Sequence, residues 1–198
     1  MITIPSHRKW LRLLSQRYSC QIAESLLLSA SQYYQSCLND NLDQNKRFHP
    51  IIRTRVLPVL ALYHAMLDHH FDQKTAMHDL ELLFVDMYFS VQLQGIRFLN
   101  RTLPNPFFVI KPFLRLMIRF SDLPEGQEIQ QDTSVCFAID VHQCFIFDTL
   151  RAMNAPELTT VFCASDDRLS AEMNKIEWRR TQTLGRGGEK CDFCWWRK

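Results

Sequence analysis

The spacing of apolar residues changes once along the chain, near Ser134, and no other feature restricts the fold as much. Ahead of that point, apolar side chains recur every three or four residues, the spacing of one helix face. Behind it, the run SVCFAIDV is β-branched and aromatic, as strands are. The expected class is α+β, with a helical N-terminal part packed on a C-terminal antiparallel β-hairpin or sheet with short helices. The helical part is expected at residues 1–120 and the α+β part at 134–198. Between them the polar stretch SDLPEGQEIQQ suggests a hinge loop over 121–133. With 198 residues, 46% of them hydrophobic, the chain is long enough to bury one core as a single compact domain.

Within the first part, Pro5 and Ser6 precede a stripe of Trp10, Leu13, Leu14, Tyr18, Ile22, Leu26, Ala30, Tyr33 and Cys37, which predicts one long helix. Cys20 and Cys37 lie in or beside the stripe and read as core or semi-buried thiols. NDNLDQNK, residues 39–46, reads as a loop. Pro50 opens a second helix, with Pro58 at an early-turn boundary or kink. A third helix is expected from Thr75 to Leu99, its apolar face supplied by Leu80, Leu83, Phe84, Met87, Val91 and Leu99, and Pro104 and Pro106 end it. In FFVIKPFLRLMIRF, the cations Lys111, Arg115 and Arg119 share one face. They read as a solvated face rather than a carboxylate site. Beyond Ser134, the strand leads into a helix ending near Asn154 and Pro156, then into one or two helical pieces over 157–173. IEWRRTQTL and EKCDFCWW, separated by Gly185, Arg186, Gly187 and Gly188, form a hairpin signal.

The charge balance, 23 basic against 21 acidic residues, is too even for a nucleic-acid footprint or a membrane-seeking patch. The N-terminus lacks an apolar stretch of signal-peptide length, and no segment approaches the roughly 18 apolar residues of a membrane span. A cytoplasmic protein with a small-molecule partner is expected, and its oligomeric state is left open. Seven cysteines is an odd number, which argues for reduced thiols over a disulfide framework. His64 and Asp68 sit four apart on one helix face, as metal ligands do, but no third ligand matches them. Cys191 and Cys194 resemble half of a zinc or redox motif. Strand alternation separates them, placing Cys191, Phe193 and Trp195 on one face and Asp192, Cys194 and Trp196 on the other.

Candidate chemistry lies elsewhere in the last third. Cys144 falls at a strand-to-helix junction two residues after His142, where amide donors favour a thiolate or a developing oxyanion. Cys163 and Asp166 bring a thiol and a carboxylate to one helical face.

Three segments together resemble the L-2-amino-thiazoline-4-carboxylic acid hydrolase family: FAIDVHQC ending at Cys144, APELTTVFCASD with Cys163 and Asp166, and RRTQTLGRGGEKCDF ending in Cys191, Asp192 and Phe193. VLALYHAMLD, residues 59–68, and Gln73 to Ala76 are similar to the family's helical leader, so the likeness spans roughly residues 50–196. Two words depart from the pattern: Cys144-Phe145-Ile146 where Cys-Pro-aromatic is expected, and Cys194 where arginine follows CDF. The resemblance implies hydrolysis of a cyclic amidine in an amino-acid derivative, opening its carbon–sulfur bond to an N-carbamoyl cysteine. It casts Cys144 or Cys163 as nucleophile, Asp166 as base or orienter, Cys191 as a partner on the hairpin wall and His142 as a proton shuttle. Arg180, Thr181 and Asp192 are the implied substrate-binding residues. Cofactors are not demanded, although Cys144, Cys163 and Cys191 could hold a single divalent metal that activates water. Ring closure, elimination or isomerisation in a specialised pathway, and a non-enzymatic small-molecule or metal-binding domain, stand as alternatives.

Overall fold

The computed structural model describes residues 3–39, 48–120 and 126–198. The expected loop beyond Asn39 and the first residues of the expected hinge lie outside them. The chain divides into two compact units, Met1–Tyr88 and Phe89–Lys198. That division falls ahead of the polar stretch at 121–133, of which residues 127–132 form a strand rather than a hinge.

The first unit is helical: α1 (His7–Arg17), α2 (Cys20–Asn39), α3 (His49–Ile51), a π-helical turn (Ile52–Val56), α4 (Leu57–Asp68) and α5 (Gln73–Tyr88). The long stripe is thus two helices. Tyr18 adopts an extended backbone and ends α1, while the Ser19 side chain accepts the Ile22 amide and starts α2. This break lets Arg17 and the Tyr18 hydroxyl both reach Asp79 of α5, a buried carboxylate that needs such partners. Cys20, expected to be at least semi-buried, is exposed at the start of α2. α4 is apolar almost all round, which suits a central helix, and it packs along α2. Pro58 has no amide to give the Thr54 carbonyl one turn back; that carbonyl is taken instead by the Tyr88 hydroxyl at 2.7 Å. The Tyr34 hydroxyl does the same for Arg53, at 3.1 Å. His64 stacks on Tyr33, whose hydroxyl donates to Asp68, so the two candidate ligands are engaged with a tyrosine.

The second unit contains α6 (Ser90–Thr102), α7 (Phe107–Phe120), β1 (Gln127–Asp132), β2 (Cys136–Val141), α8 (Phe145–Ala152), a 3-10 turn (Pro156–Leu158), α9 (Thr159–Ala171), β3 (Ile176–Arg179) and β4 (Cys191–Arg197). The expected third helix is interrupted at Phe89, and Val91, expected in its core face, is 76% exposed. The four strands form an antiparallel sheet in the order β1-β2-β4-β3. The chain is therefore α+β, as the change of periodicity requires.

Alternation decides the sheet's two faces. Phe137, Ile139 and Val141 of β2 meet Cys191 and Trp195 of β4, and this face is covered by Phe107 and Ile110 of α7 and by Met173. Each large side chain buried there contributes roughly 1.5–3 kcal/mol. Cys194 points the other way and meets Cys136, so Cys191 and Cys194 do lie on opposite faces. Lys111 and Arg115 of α7 do not form a free cationic face; both pair with Asp132 of β1, at 2.6 and 2.7 Å. The Arg119 side chain lies outside the described residues.

Candidate functional site

Three ends of secondary structure carry the candidate groups. β2 runs through Val141, the register partner of Cys191, and on to Cys144, which holds the N-cap position of α8 without a capping bond from its side chain. α9 presents Cys163 and Asp166, one turn apart. The long connection from β3 to β4 supplies Arg180 to Gly188, and Cys191 begins β4.

The thiols share one electrostatic neighbourhood. Burial pushes Cys144 up to about 11, with the neighbouring Cys191 adding to the rise, while the amides of Phe147 and Ile146 in the first turn of α8 work against it. Cys163 is pushed up to about 12 by burial, then by Asp166 and Cys191. Arg180 and a loose contact from the Thr183 hydroxyl oppose that shift. Cys191 is raised as well, first by burial, and accepts the Leu184 amide at 3.4 Å. Burial thus favours the neutral thiol at all three sulfurs.

Arg180 is the fixed point of the site. Its side chain is 3% exposed, and its guanidinium lies 5.8 Å from the ring centres of both Trp178 and Phe193. One terminal nitrogen donates to Asp167 at 2.5 Å and the other reaches Asp166 at 3.5 Å. Both also donate to the Cys163 carbonyl. Arg186 reaches the same Asp167 oxygen at 3.2 Å. Asp166 is 46% open to solvent, yet desolvation pushes its carboxyl up to about 7, Arg180 working downward and Asp167 upward. Because an ordinary aspartate titrates near about 3.9, ionising Asp166 is costlier in the folded chain. Its contribution to stability is full below about pH 4 and is lost as the pH rises toward 7. Asp166→Asn should flatten that decline, seen as urea midpoints that vary less across this range; an unchanged slope would show that Asp166 titrates as in the unfolded chain.

Thr181 and Asp192 are occupied with each other. Asp192 accepts the Thr181 amide at 2.9 Å, the Thr181 hydroxyl, and the Gln182 amide at 2.8 Å. Burial alone would raise this carboxyl, but these bonds outweigh it and hold it below the usual range. The same bonds draw residues 181 and 182 off the sheet, which is why β3 stops at Arg179 although the sequence suggests a strand to Leu184. The loop encloses a pocket of about 260 Å³ lined by Arg180, Thr181, Gln182, Thr183, Arg186, Gly187 and Gly188. Gly187 has a positive φ of 82°, open to glycine at little cost. At Gly185 a Cβ would come within 2.7 Å of Thr159 and 3.1 Å of the Cys163 sulfur, so only glycine lets the loop close on α9. The hydroxyls of Thr159 and Thr183 are buried there without a hydrogen-bond partner among the described residues.

His142 stands apart. It is on the β1 side, with its ring 3.9 Å from Glu128 and its amide on the Gly126 carbonyl. The structure thus brings together Cys144, Cys163, Cys191, Asp166 and Arg180, and adds Asp167, Thr183 and Arg186. The last three had a weak sequence signal: a second acid beside Asp166, and a lone arginine and a threonine beside the glycines. Among the described residues, no three His, Cys, Asp or Glu side chains are grouped as ligands of one metal ion. Nor is any helix there long and apolar enough to cross a membrane.

Comparison with curated proteins gives no match. Residues 100–195 match the model of the L-2-amino-thiazoline-4-carboxylic acid hydrolase family, a span that begins later than the resemblance near residue 50 and omits the helical leader. Every group gathered at the site lies inside that span, which is just under half of the chain and over which the chain is similar to the L-2-amino-thiazoline-4-carboxylic acid hydrolase family.

Proposed function

We propose that the chain hydrolyses a small cyclic amidine of the aminothiazoline-carboxylate type, opening the ring by thiol attack with help from a carboxyl group. The observation that carries this reading is the gathering of Cys163, Cys191 and Asp166 around a buried arginine, with Cys144 of a third element beside Cys191. Cys144 is the nucleophile, because it alone of the three sits at a helix N-terminus, where the amides of Phe147 and Ile146 work against the rise caused by burial. Its proton passes to the ring nitrogen of the substrate, pairing a thiolate with an amidinium. The sulfur then adds to the carbon between sulfur and nitrogen. The ring carbon–sulfur bond breaks, and Asp166, protonated in part near neutrality, supplies a proton to the departing sulfur. Water adds to the resulting S-linked isothiouronium, giving one proton to the Asp166 carboxylate. Collapse releases Cys144 as a thiol and leaves an N-carbamoyl cysteine.

The substrate carboxylate belongs at the 180–188 loop. Arg180 has its terminal nitrogens committed to protein partners, whereas Arg186 is half exposed and uses one nitrogen on Asp167. The remaining edge of Arg186 and the buried Thr183 hydroxyl face a pocket suited to a small ligand. Thiol and acid groups of this chain account for the reaction without a metal step.

Incubation with L-2-amino-thiazoline-4-carboxylate should release one free thiol and one carbamoyl product per ring opened. No turnover of this or related cyclic amidines would sink the hydrolase reading. Arg186→Ala should raise KM by about ten- to a hundredfold with kcat nearly unchanged, as lost ground-state binding does. The ring lacking the carboxylate should react equally with variant and parent; equal KM values for the carboxylated substrate would remove Arg186 from the binding site.

A further inference from the structure

On the face of the sheet opposite Cys191, the sulfurs of Cys136 and Cys194 lie 3.7 Å apart. They are diagonal neighbours on adjacent strands: Cys136 is the register partner of Trp196, and Cys194 that of Ala138. Closing them to a disulfide needs the sulfurs to approach by about 1.7 Å, through side-chain rotation together with a small shift of the two strands. Both are free thiols, Cys136 fully buried and Cys194 half-buried. The proposed ring opening uses neither of them.

We propose that Cys136 and Cys194 form a reversible cross-strand disulfide, a site of oxidative modification that fastens β2 to β4 independently of the thiols of the functional site. With a hydroperoxide as oxidant, the half-buried Cys194 reacts first. Its thiolate attacks one peroxide oxygen, the O–O bond breaks, hydroxide leaves and takes up the proton, and Cys194 becomes a sulfenic acid. Cys136 then attacks that sulfur, the S–OH bond breaks and water departs, so two thiols and one peroxide give one disulfide and two waters. A thiol reductant reverses the step. Burial and the Cys194 sulfur push Cys136 up to about 12, so the first attack belongs to Cys194 and the second relies on proximity.

The placement gives the bond its consequence. β2 and β4 are the two inner strands, and one carries the chain toward Cys144 while the other starts at Cys191. The pair ties them near the end remote from Val141 and Cys191, bracing the sheet without touching the functional thiols.

The test is intact and peptide mass analysis of the folded full chain after stoichiometric hydrogen peroxide, with thermal unfolding of the same samples. A mass lower by about 2 Da is expected, with a peptide joining Cys136 to Cys194 that reductant splits. The unfolding temperature should rise by several degrees on oxidation and return on reduction, as a cross-link closing a long loop produces. Cys194→Ser should abolish both the link and the rise, and Cys136→Ala should leave Cys194 oxidised but unlinked. Failure of the linked peptide to form, pairing of Cys194 with another cysteine, or a link with no rise in unfolding temperature would each overturn the proposal.

Discussion

Replacing Arg180 by methionine is expected to lower the unfolding free energy by about 3 kcal/mol, the low end for breaking a buried ion pair because water reaches the two aspartates. Three losses combine. Asp166 and Asp167 lose their shared cation, the Cys163 carbonyl loses two donors, and the rings of Trp178 and Phe193 lose the guanidinium beside them. Arg180→Lys should recover little, since an ammonium lacks the planar fork that meets all these partners. Urea unfolding of the three proteins is the measurement. A loss below about 1 kcal/mol in the methionine variant would place Arg180 among ordinary surface arginines.

Cys144→Ser is expected to reduce kcat/KM by about 10³-fold or more while the fold is kept, because a serine hydroxyl cannot reach the ionised state that a thiol reaches on meeting an amidine base. Cys163→Ser and Cys191→Ser should cost less, since no step of the proposed ring opening runs through their sulfurs. Rapid quenching of the parent with substrate should trap a mass adduct on Cys144, and the serine variant should show none. An adduct on Cys163 would transfer the nucleophile to α9, where Asp166 is the nearer acid.

The residues that are legible from sequence are those whose chemistry shows in local patterns. Strand alternation around Cys191 and Cys194 separates two thiols that a motif search would pair, and β4 carries them on opposite faces. The strand-to-helix junction at Cys144 is also legible, and Cys144 does stand at the N-cap position of α8. Long-range partners are not readable in this way. Nothing near Tyr18 announces that the stripe breaks so that Arg17 and Tyr18 can serve Asp79, 62 and 61 residues away. The strand of residues 127–132 was hidden because QEIQQD carries one apolar residue, its side chains being those of an edge that faces water. Arg186 looks like turn filler until Asp167 of a different element is seen to hold it. His142 is near Cys144 in sequence, but its ring lies 3.9 Å from Glu128 of β1, a long-range neighbour that the sequence does not announce.

The margins of the sheet have a consequence for behaviour in concentrated solution. β1 pairs with β2 out of step between Ile129 and Gln131, and its outward groups are mostly polar or acidic. β3, at the other margin, is four residues long and carries Glu177 and Arg179 joined to each other. A bulged polar rim and a short charged rim are poor templates for another chain's backbone. Growth of the sheet from molecule to molecule is thereby disfavoured at both margins, a protection that a chain rich in aromatic strands needs.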